Sequence, residues 1–244
     1  MAMDQAMLEF AGKTQQVVLR IYQWSKPTLS LGYFQDFDGL DAIPGFRSLD
    51  CVRRMTGGGA ILHDRELTYS LAFPDQVKVK GHSEALYRAV HQAVIEWLRE
   101  LGFAANLWED SNRRTDGTYS IKNSFLCFER RSEVDIVIDD QKIVGSAQRR
   151  VSEGLLQHGS LLLEASPMAP NLQGLFSQQT HESIEKVRHS VIASELGAVI
   201  QKSLRTSFDC NWTLSQANAE VHLRAEVIAK ERFSRADWTQ FKNG

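Results

Sequence analysis

Two side chains near the middle of the chain could carry covalent chemistry. Cys127 stands in the apolar run SFLCF, and Lys142 opens the segment KIVGSAQRR a short distance later. A cysteine attacks carbon only as the thiolate, which needs a nearby cation or general base to form near pH 7. Plainer interpretations stay open, because cysteine often packs as an inert apolar residue and lysine is usually solvated. Cys51, flanked by Asp50 and Val52, and Cys210, in FDCNW, are interpreted as packing residues.

A glycine triplet forms a second group of candidate residues. Arg53, Arg54 and Thr56 lead into the glycines at 57–59, and His63 follows them. Glycines without a Cβ let a ligand reach backbone N–H groups, while arginines supply fixed positive charge. This pattern suits a phosphate or carbonyl ligand. A glycine-rich hairpin with solvated arginines is the open alternative.

Two later segments combine small and polar residues. The run 145–148 reads GSAQ, and small residues in a strand allow a ligand or another backbone to approach closely. His158 stands next to Gly159 and Ser160. A neutral histidine near pH 7 serves structural as well as catalytic purposes, so both interpretations of His158 remain.

The elements that must position these residues favour an α+β fold. Apolar residues at helical spacing predict helices at 1–11 and 83–101, and the last eighty residues are mainly helical, as at 190–204 and 216–231. Alternating or β-branched runs predict strands at 16–24, 28–34, 49–54, 60–63, 66–73, 133–139, 142–150 and 155–164. The first two strands read as an antiparallel pair. Strands in runs joined by short turns, with helices grouped elsewhere, predict a largely antiparallel mixed sheet flanked by helices.

Composition excludes several classes of protein. The 244 residues are 43% hydrophobic and 24% charged, which is typical of a globular chain. A net charge of −2 gives no bulk basic field, so we expect no nucleic-acid partner. No apolar run is long enough to span a membrane, and acidic residues near the N-terminus argue against a signal peptide, so we expect a cytoplasmic protein without a membrane partner. Three cysteines without CxxC spacing predict neither disulfides nor a metal site.

Most of residues 109–124 have no hydrophobic period and many turn formers. A surface loop of this length is more often functional than idle. We therefore predict a functional surface loop there.

Three motifs occur together in one order: RRMTGGGAILH at 53–63, KIVGSAQRR at 142–150 and LLQHGS at 155–160. They resemble the superfamily of lipoate-protein ligases, biotin-protein ligases and octanoyltransferases. The resemblance implies a biotin/lipoate protein ligase-like catalytic domain, in which the glycine loop and the lysine strand wall a tunnel for an acyl chain. It implies a catalytic core over 1–165 and a helical C-terminal part over 166–244, packed on the same domain.

Within that superfamily, the cysteine before the lysine motif resembles the cysteine-dependent octanoyltransferases of the LipM type. The resemblance implies that Cys127 is the acyl-accepting nucleophile and that Lys142 binds the thioester carbonyl and supports the thiolate. It also implies that the acyl site is lined by Arg54, Thr56, Gly57, Gly58, Gly59, His63, Gly145, Ser146, Ala147, Gln148, His158 and Gly159.

The implied reaction moves an octanoyl or lipoyl group from acyl carrier protein, through acyl-Cys127, to a lysine of a lipoyl-domain or glycine-cleavage H-type protein. No cofactor is required for that reaction. The alternative is an ATP-dependent lipoate-protein ligase, or its catalytic subunit, which would use ATP and Mg to form lipoyl-AMP. A third hypothesis is a non-catalytic module that binds an acyl group or cofactor.

Overall fold

The computed structural model of the protein describes residues 1–75, 82–108, 124–177, 182–210 and 218–242. Within these ranges the helices are α1 (Ala2–Thr14), α2 (His82–Glu100), α3 (Glu182–Phe208), α4 (Ala219–Ile228) and α5 (Ala236–Phe241). The strands are β1 (Val18–Tyr22), β2 (Thr28–Leu31), β3 (Asp50–Arg53), β4 (Ile61–His63), β5 (Glu66–Pro74), β6 (Asn106–Leu107), β7 (Ile136–Ile138), β8 (Gln141–Val151) and β9 (Gly154–Leu162). None of the described helices combines the length and the apolarity that crossing a membrane requires.

The larger sheet has six strands in the order β1-β5-β9-β8-β7-β6, and every neighbouring pair is antiparallel. Its central strands β5 and β9 are buried along their whole length. One face packs against α2 and α3, through residues such as Leu71 and Leu161, and the other packs against α1 and α4, through Ala72 and Leu156. The predicted α+β fold with a largely antiparallel sheet is confirmed.

A smaller sheet holds β3, β2 and β4, with β2 parallel to β3 and antiparallel to β4. The predicted antiparallel pairing of 16–24 with 28–34 is therefore wrong, because β1 pairs with β5 and β2 lies in the other sheet. Both β1 and β2 pair with strands that are distant in the chain. The connection through Pro27 takes the backbone from one sheet to the other. Residues of both sheets line one cavity.

The other local predictions have clear outcomes. The helix predicted at 83–101 is α2, and Gly102 follows it with a φ of +91°, a left-handed conformation that ends a helix at little steric cost for glycine. The strands predicted from 133 to 164 are β7, β8 and β9. The helices predicted in the last eighty residues are α3 and α4. The functional loop predicted at 109–124 lies, apart from its last residue, outside the described residues.

Hydrogen bonds of Arg53 connect the C-terminal helix α5 to the core. The buried guanidinium of Arg53 donates through Nε to the Thr239 carbonyl at 2.9 Å and through NH1 to the Gly32 carbonyl at 2.9 Å. In return, Trp238 Nε1 donates to the Arg53 carbonyl at 3.0 Å. Arg53 is thus a structural residue instead of a ligand-binding one. The division into a catalytic core and an accessory helical part stays a prediction.

A chain of hydrogen bonds crosses the interface between α2 and the larger sheet. Gln157 Nε2 donates to the Tyr69 hydroxyl at 2.8 Å, which lies 2.6 Å from Ser146 Oγ, and Ser146 Oγ lies 2.6 Å from His91 Nε2. His91 Nδ1 lies 2.7 Å from the Val134 carbonyl, which can only accept, so Nδ1 carries the proton and Nε2 accepts from the serine. Burial lowers the pKa of His91 to about 4.

We expect His91 to make stability depend on pH. Unfolded His91 binds a proton below about pH 6.5, whereas folded His91 stays neutral until about pH 4, so its contribution is complete above pH 6.5 and is lost as pH falls towards 4. The loss is about 3 kcal/mol across that window. Urea unfolding of the wild type and His91→Gln at several pH values measures it, since other titrating groups cancel in the difference. Exposed His222 supplies the control His222→Gln, which should run parallel to the wild type. Parallel wild-type and His91→Gln curves would contradict the assignment.

Candidate active site

A cavity of about 430 Å³, including its mouth, lies between the two sheets. The glycine loop at 57–59, strands β2 and β4 of the smaller sheet and strands β5, β8 and β9 of the larger sheet contribute its walls. Of the residues predicted for the acyl site and the catalytic pair, those that line it are Arg54, Gly58, His63, Cys127, Gly145, Ser146, Ala147, His158 and Gly159. The remaining predicted residues are not among the lining residues: Thr56, Gly57, Gly59, Lys142 and Gln148.

Cys127 begins a short 3-10 turn, Cys127–Glu129, at the edge of this cavity. Its backbone N–H donates to the Ala60 carbonyl at 2.7 Å, which fixes the turn against the end of the glycine loop. Gly59 makes this approach possible, because a Cβ there would stand 2.9 Å from the Cys127 nitrogen. The half-buried thiol therefore occupies a defined place at the cavity wall.

The Lys142 ammonium lies next to the thiol, with Nζ 3.5 Å from Cys127 Sγ and 3.2 Å from the Cys127 carbonyl oxygen. The lysine side chain crosses Gly145, where a Cβ would come within 2.5 Å of Cε. An ammonium at this distance stabilises negative charge on sulfur or on an adjacent oxygen. The structure thus brings the two predicted catalytic residues together.

Asp135 holds the ammonium in this position. Its Oδ2 lies 2.9 Å from Lys142 Nζ, and both side chains are less than 5% exposed. The Ser132 N–H donates to the same carboxylate oxygen at 2.7 Å. Burial raises the pKa of Asp135, and the charge of Lys142 opposes that rise. Sequence reasoning missed this residue, although an acid between Val134 and Ile136, within the predicted strand 133–139 and shortly before a lysine, was a usable signal.

Arg54 is fully enclosed beneath the glycine loop. Its five N–H groups are directed at protein oxygens: Nε at Thr56 Oγ1, NH1 at the carbonyl and hydroxyl of Ser30, and NH2 at the carbonyls of Gly57 and Gly59. None of these acceptors is a carboxylate, and burial lowers the pKa of Arg54 to about 10. The arginine consequently shapes the loop and leaves its positive charge at the cavity wall.

The two histidines of the predicted site each contact a carboxylate. His63 Nδ1 lies 3.0 Å from Glu66 Oε1, and His158 Nδ1 lies 3.1 Å from Asp4 Oδ2. The other ring nitrogen of His158 is 2.7 Å from Thr56 Oγ1, so this histidine ties α1 to the glycine loop. Burial lowers the pKa of His158, although Asp4 opposes that shift. Both rings are therefore rigid parts of the wall.

Gln148 and Gly57 are predicted site residues that do not line the cavity. Gln148 Nε2 donates to Gln157 Oε1 at 2.7 Å and to the Ser83 carbonyl at 2.7 Å, which joins β8, β9 and the start of α2. A Cβ on Gly57 would lie 3.7 Å from the ring of Phe34, a largely exposed residue. These residues position the lining and do not form it.

The other two cysteines are poor candidates for a nucleophile. Burial raises the pKa of Cys51 to about 11, and nearby arginines only partly oppose this shift. Burial also raises the pKa of Cys210. A thiol with a raised pKa holds even less thiolate near pH 7 than a free cysteine does.

The chain is similar to several known proteins. The family model described as the lipoyl protein ligase A/B catalytic domain matches residues 1–207. An octanoyltransferase LipM from Geobacillus kaustophilus is 39% identical over 258 residues, covering 98% of this chain and 92% of that relative. An octanoyltransferase LipM from Kyrpidia tusciae is 38% identical over 180 residues. That match covers 69% of this chain but only 63% of the relative, less than two thirds of its length.

Similarity extends to solved structures. The structure of an archaeal lipoylation system from Thermoplasma acidophilum, a bipartite lipoate protein ligase and its E2 lipoyl domain, includes a chain that covers 98% of this one. The two share 19% identity at a TM-score of 0.60, with 91% of the archaeal chain covered, which shows a common fold. From the family match and the full-length relative together, we conclude that the chain belongs to the lipoyl protein ligase A/B catalytic domain family.

Proposed function

We propose that this protein is an acyltransferase that carries an octanoyl group on Cys127 and delivers it to a lysine of a lipoyl-domain protein. The observation that carries the proposal is the 3.5 Å approach of the Lys142 ammonium to the Cys127 sulfur at the wall of the cavity. Relatives named octanoyltransferase LipM support the choice of an octanoyl group. The donor is an acyl carrier protein thioester and the reaction needs no cofactor.

The first displacement moves the acyl group to the enzyme. The Cys127 thiolate attacks the carbonyl carbon of the donor thioester, a new carbon–sulfur bond forms, and the bond to the donor sulfur breaks. Cys127 releases its proton to water when the thiolate forms, and the departing donor thiolate takes up one proton from water, so the step balances. Lys142 keeps its own proton and stabilises the negative charge, first on sulfur and then on the carbonyl oxygen of the tetrahedral intermediate.

The second displacement releases the acyl group. The amine of the acceptor lysine attacks the carbonyl carbon of acyl-Cys127, the amide bond forms, and the bond to Cys127 Sγ breaks. A proton from the amine returns to the sulfur, so the enzyme ends as it began. Both carriers approach the same mouth in turn, because the half-buried thiol is the one point that donor and acceptor share.

The cavity accounts for selection of the acyl chain. Burial of about seven carbons contributes roughly 0.8 kcal/mol each, or on the order of 5 to 6 kcal/mol before ordering costs. Gly145, Ala147 and Gly159 line the cavity from the larger sheet, so the acyl chain lies against small residues there. A cytoplasmic location and a lipoyl-domain or H-type acceptor fit this reaction and stay predictions.

We expect octanoyl carrier protein alone, without ATP, to add one octanoyl mass to the wild-type enzyme. Cys127→Ala removes the sulfur that accepts the acyl group, so this variant should show no adduct by intact-protein mass spectrometry. Cys51→Ser is the matched control, because Cys51 lies in β3 and is not part of the cavity lining, and it should be acylated as the wild type is.

Three outcomes would count against the proposal. An adduct that persists in Cys127→Ala would remove this residue from the mechanism. Pyrophosphate release from ATP that depends on free lipoate and Lys142, and that survives Cys127→Ala, would favour the ATP-dependent ligase. Tight acyl binding with neither reaction would indicate a binding module.

Lys142→Met should slow both alkylation of Cys127 by iodoacetamide at pH 7 and formation of the acyl-enzyme, the latter by about 100-fold. It also leaves Asp135 buried without its partner, which lowers the free energy of unfolding by about 3 kcal/mol. The double variant Lys142→Met/Asp135→Asn removes that unpaired charge and should recover much of the stability without recovering the rate. Urea unfolding and stopped-flow acylation measure the two effects, and a double variant as fast as the wild type would refute the role of the ammonium.

A further inference from the structure

Ser160 has a buried hydroxyl for which the described residues offer no hydrogen-bond partner. The residue is 1% exposed, and its Oγ is among the few buried side-chain atoms left unpaired in the described part of the chain. Ser160 also lines the cavity that contains Cys127. Buried polar groups in proteins nearly always have a partner, so an unpaired hydroxyl in a cavity wall indicates a ligand.

The sheet register places this hydroxyl beside the reacting groups. Ser160 of β9 pairs directly with Gly145 of β8, and paired residues project to the same face with Cβ positions roughly 5 Å apart. The Cβ position of Gly145 lies only 3.0 Å from Lys142 Nζ. Because Gly145 has no side chain, it puts no atoms of its own between the Ser160 hydroxyl and the ammonium.

On the other side of Ser160 lies Thr68, whose hydroxyl already has two hydrogen-bond partners. Ser160 pairs directly with Thr68 of β5, whose hydroxyl donates to Glu66 Oε1 and accepts from Trp24 Nε1 at 3.1 Å. Thr68 is thus held by two other partners, and the Ser160 proton, which has no acceptor among the described residues, is available to a ligand in the cavity. A donor in this place favours an acceptor oxygen near Lys142 and Cys127.

We propose that the Ser160 hydroxyl donates a hydrogen bond to the carbonyl oxygen of the bound acyl thioester. This inference rests on the proposed acyl transfer and adds a second donor to it. When sulfur adds to the carbonyl carbon, the electron pair of the C=O bond moves to oxygen, where the Ser160 hydroxyl and the Lys142 ammonium share the negative charge. When the leaving sulfur departs, the pair returns and the C=O bond reforms, so Ser160 neither gains nor loses a proton.

Two substitutions separate the hydroxyl from its volume. Ser160→Ala removes the donor, and Ser160→Thr keeps a hydroxyl on the same Cβ. With octanoyl carrier protein as donor, single-turnover acylation of Cys127 should slow by about 100-fold in Ser160→Ala, with the half-saturating donor concentration little changed, and Ser160→Thr should recover most of the rate. Alkylation of Cys127 by iodoacetamide should be equal in all three proteins, because that reaction forms no oxyanion.

The melting temperature of Ser160→Ala distinguishes the loss of a hydrogen bond to substrate from a loss of folded protein. Removal of an unpaired buried hydroxyl leaves no group unsatisfied, so Ser160→Ala should melt at or above the wild-type temperature. A stable Ser160→Ala variant that is acylated as fast as the wild type would overturn the inference and leave the transferase intact. A wild-type enzyme that forms no acyl adduct would instead refute the proposed function itself.

Discussion

The site depends on one buried ion pair, Asp135 with Lys142, which sits against the sulfur of Cys127. Removing two charges from water is expensive, and the 2.9 Å contact together with the Ser132 N–H offsets this cost only while both partners are present. The carboxylate therefore fixes where the ammonium can be. Because the lysine cannot turn towards water without leaving Asp135 unpaired, its charge stays directed at the thiol.

Glycines make room for this arrangement where backbone and side chains meet most closely. Gly59 admits the Cys127 turn, Gly145 admits the stem of Lys142, and Gly159 would otherwise clash with Tyr69 and Ser146, which a Cβ would approach to 2.4 Å. In each case the missing Cβ is replaced by an atom of the site or of its support. These three glycines are needed because neighbouring atoms pack too closely for a Cβ, and not because the backbone adopts a conformation that only glycine favours.

Local patterns in the sequence predicted what depends on local structure. The apolar stripe of α2 and the runs of β7, β8 and β9 follow from residue periodicity, and the structure confirms them. The partners of β1 and β2 are distant in the chain, so a turn signal between neighbouring strands predicted the wrong pair. Asp135 was missed for the same reason, since its importance appears only when β7 and β8 pair and bring it to Lys142.

Two adjacent arginines show what the sequence alone could not separate. Arg53 and Arg54 are identical in type and are both buried, yet Arg53 serves α5 while Arg54 lies under the glycine loop. All five N–H groups of Arg54 are directed at protein oxygens, so they hydrogen-bond the protein and are not free to bind a ligand. Its charge, however, has no carboxylate among those acceptors. In the proposed acyl transfer, this charge is fixed before the reaction begins and favours negative charge at the cavity wall, so the glycine loop is an electrostatic part of the candidate site as well as a structural one.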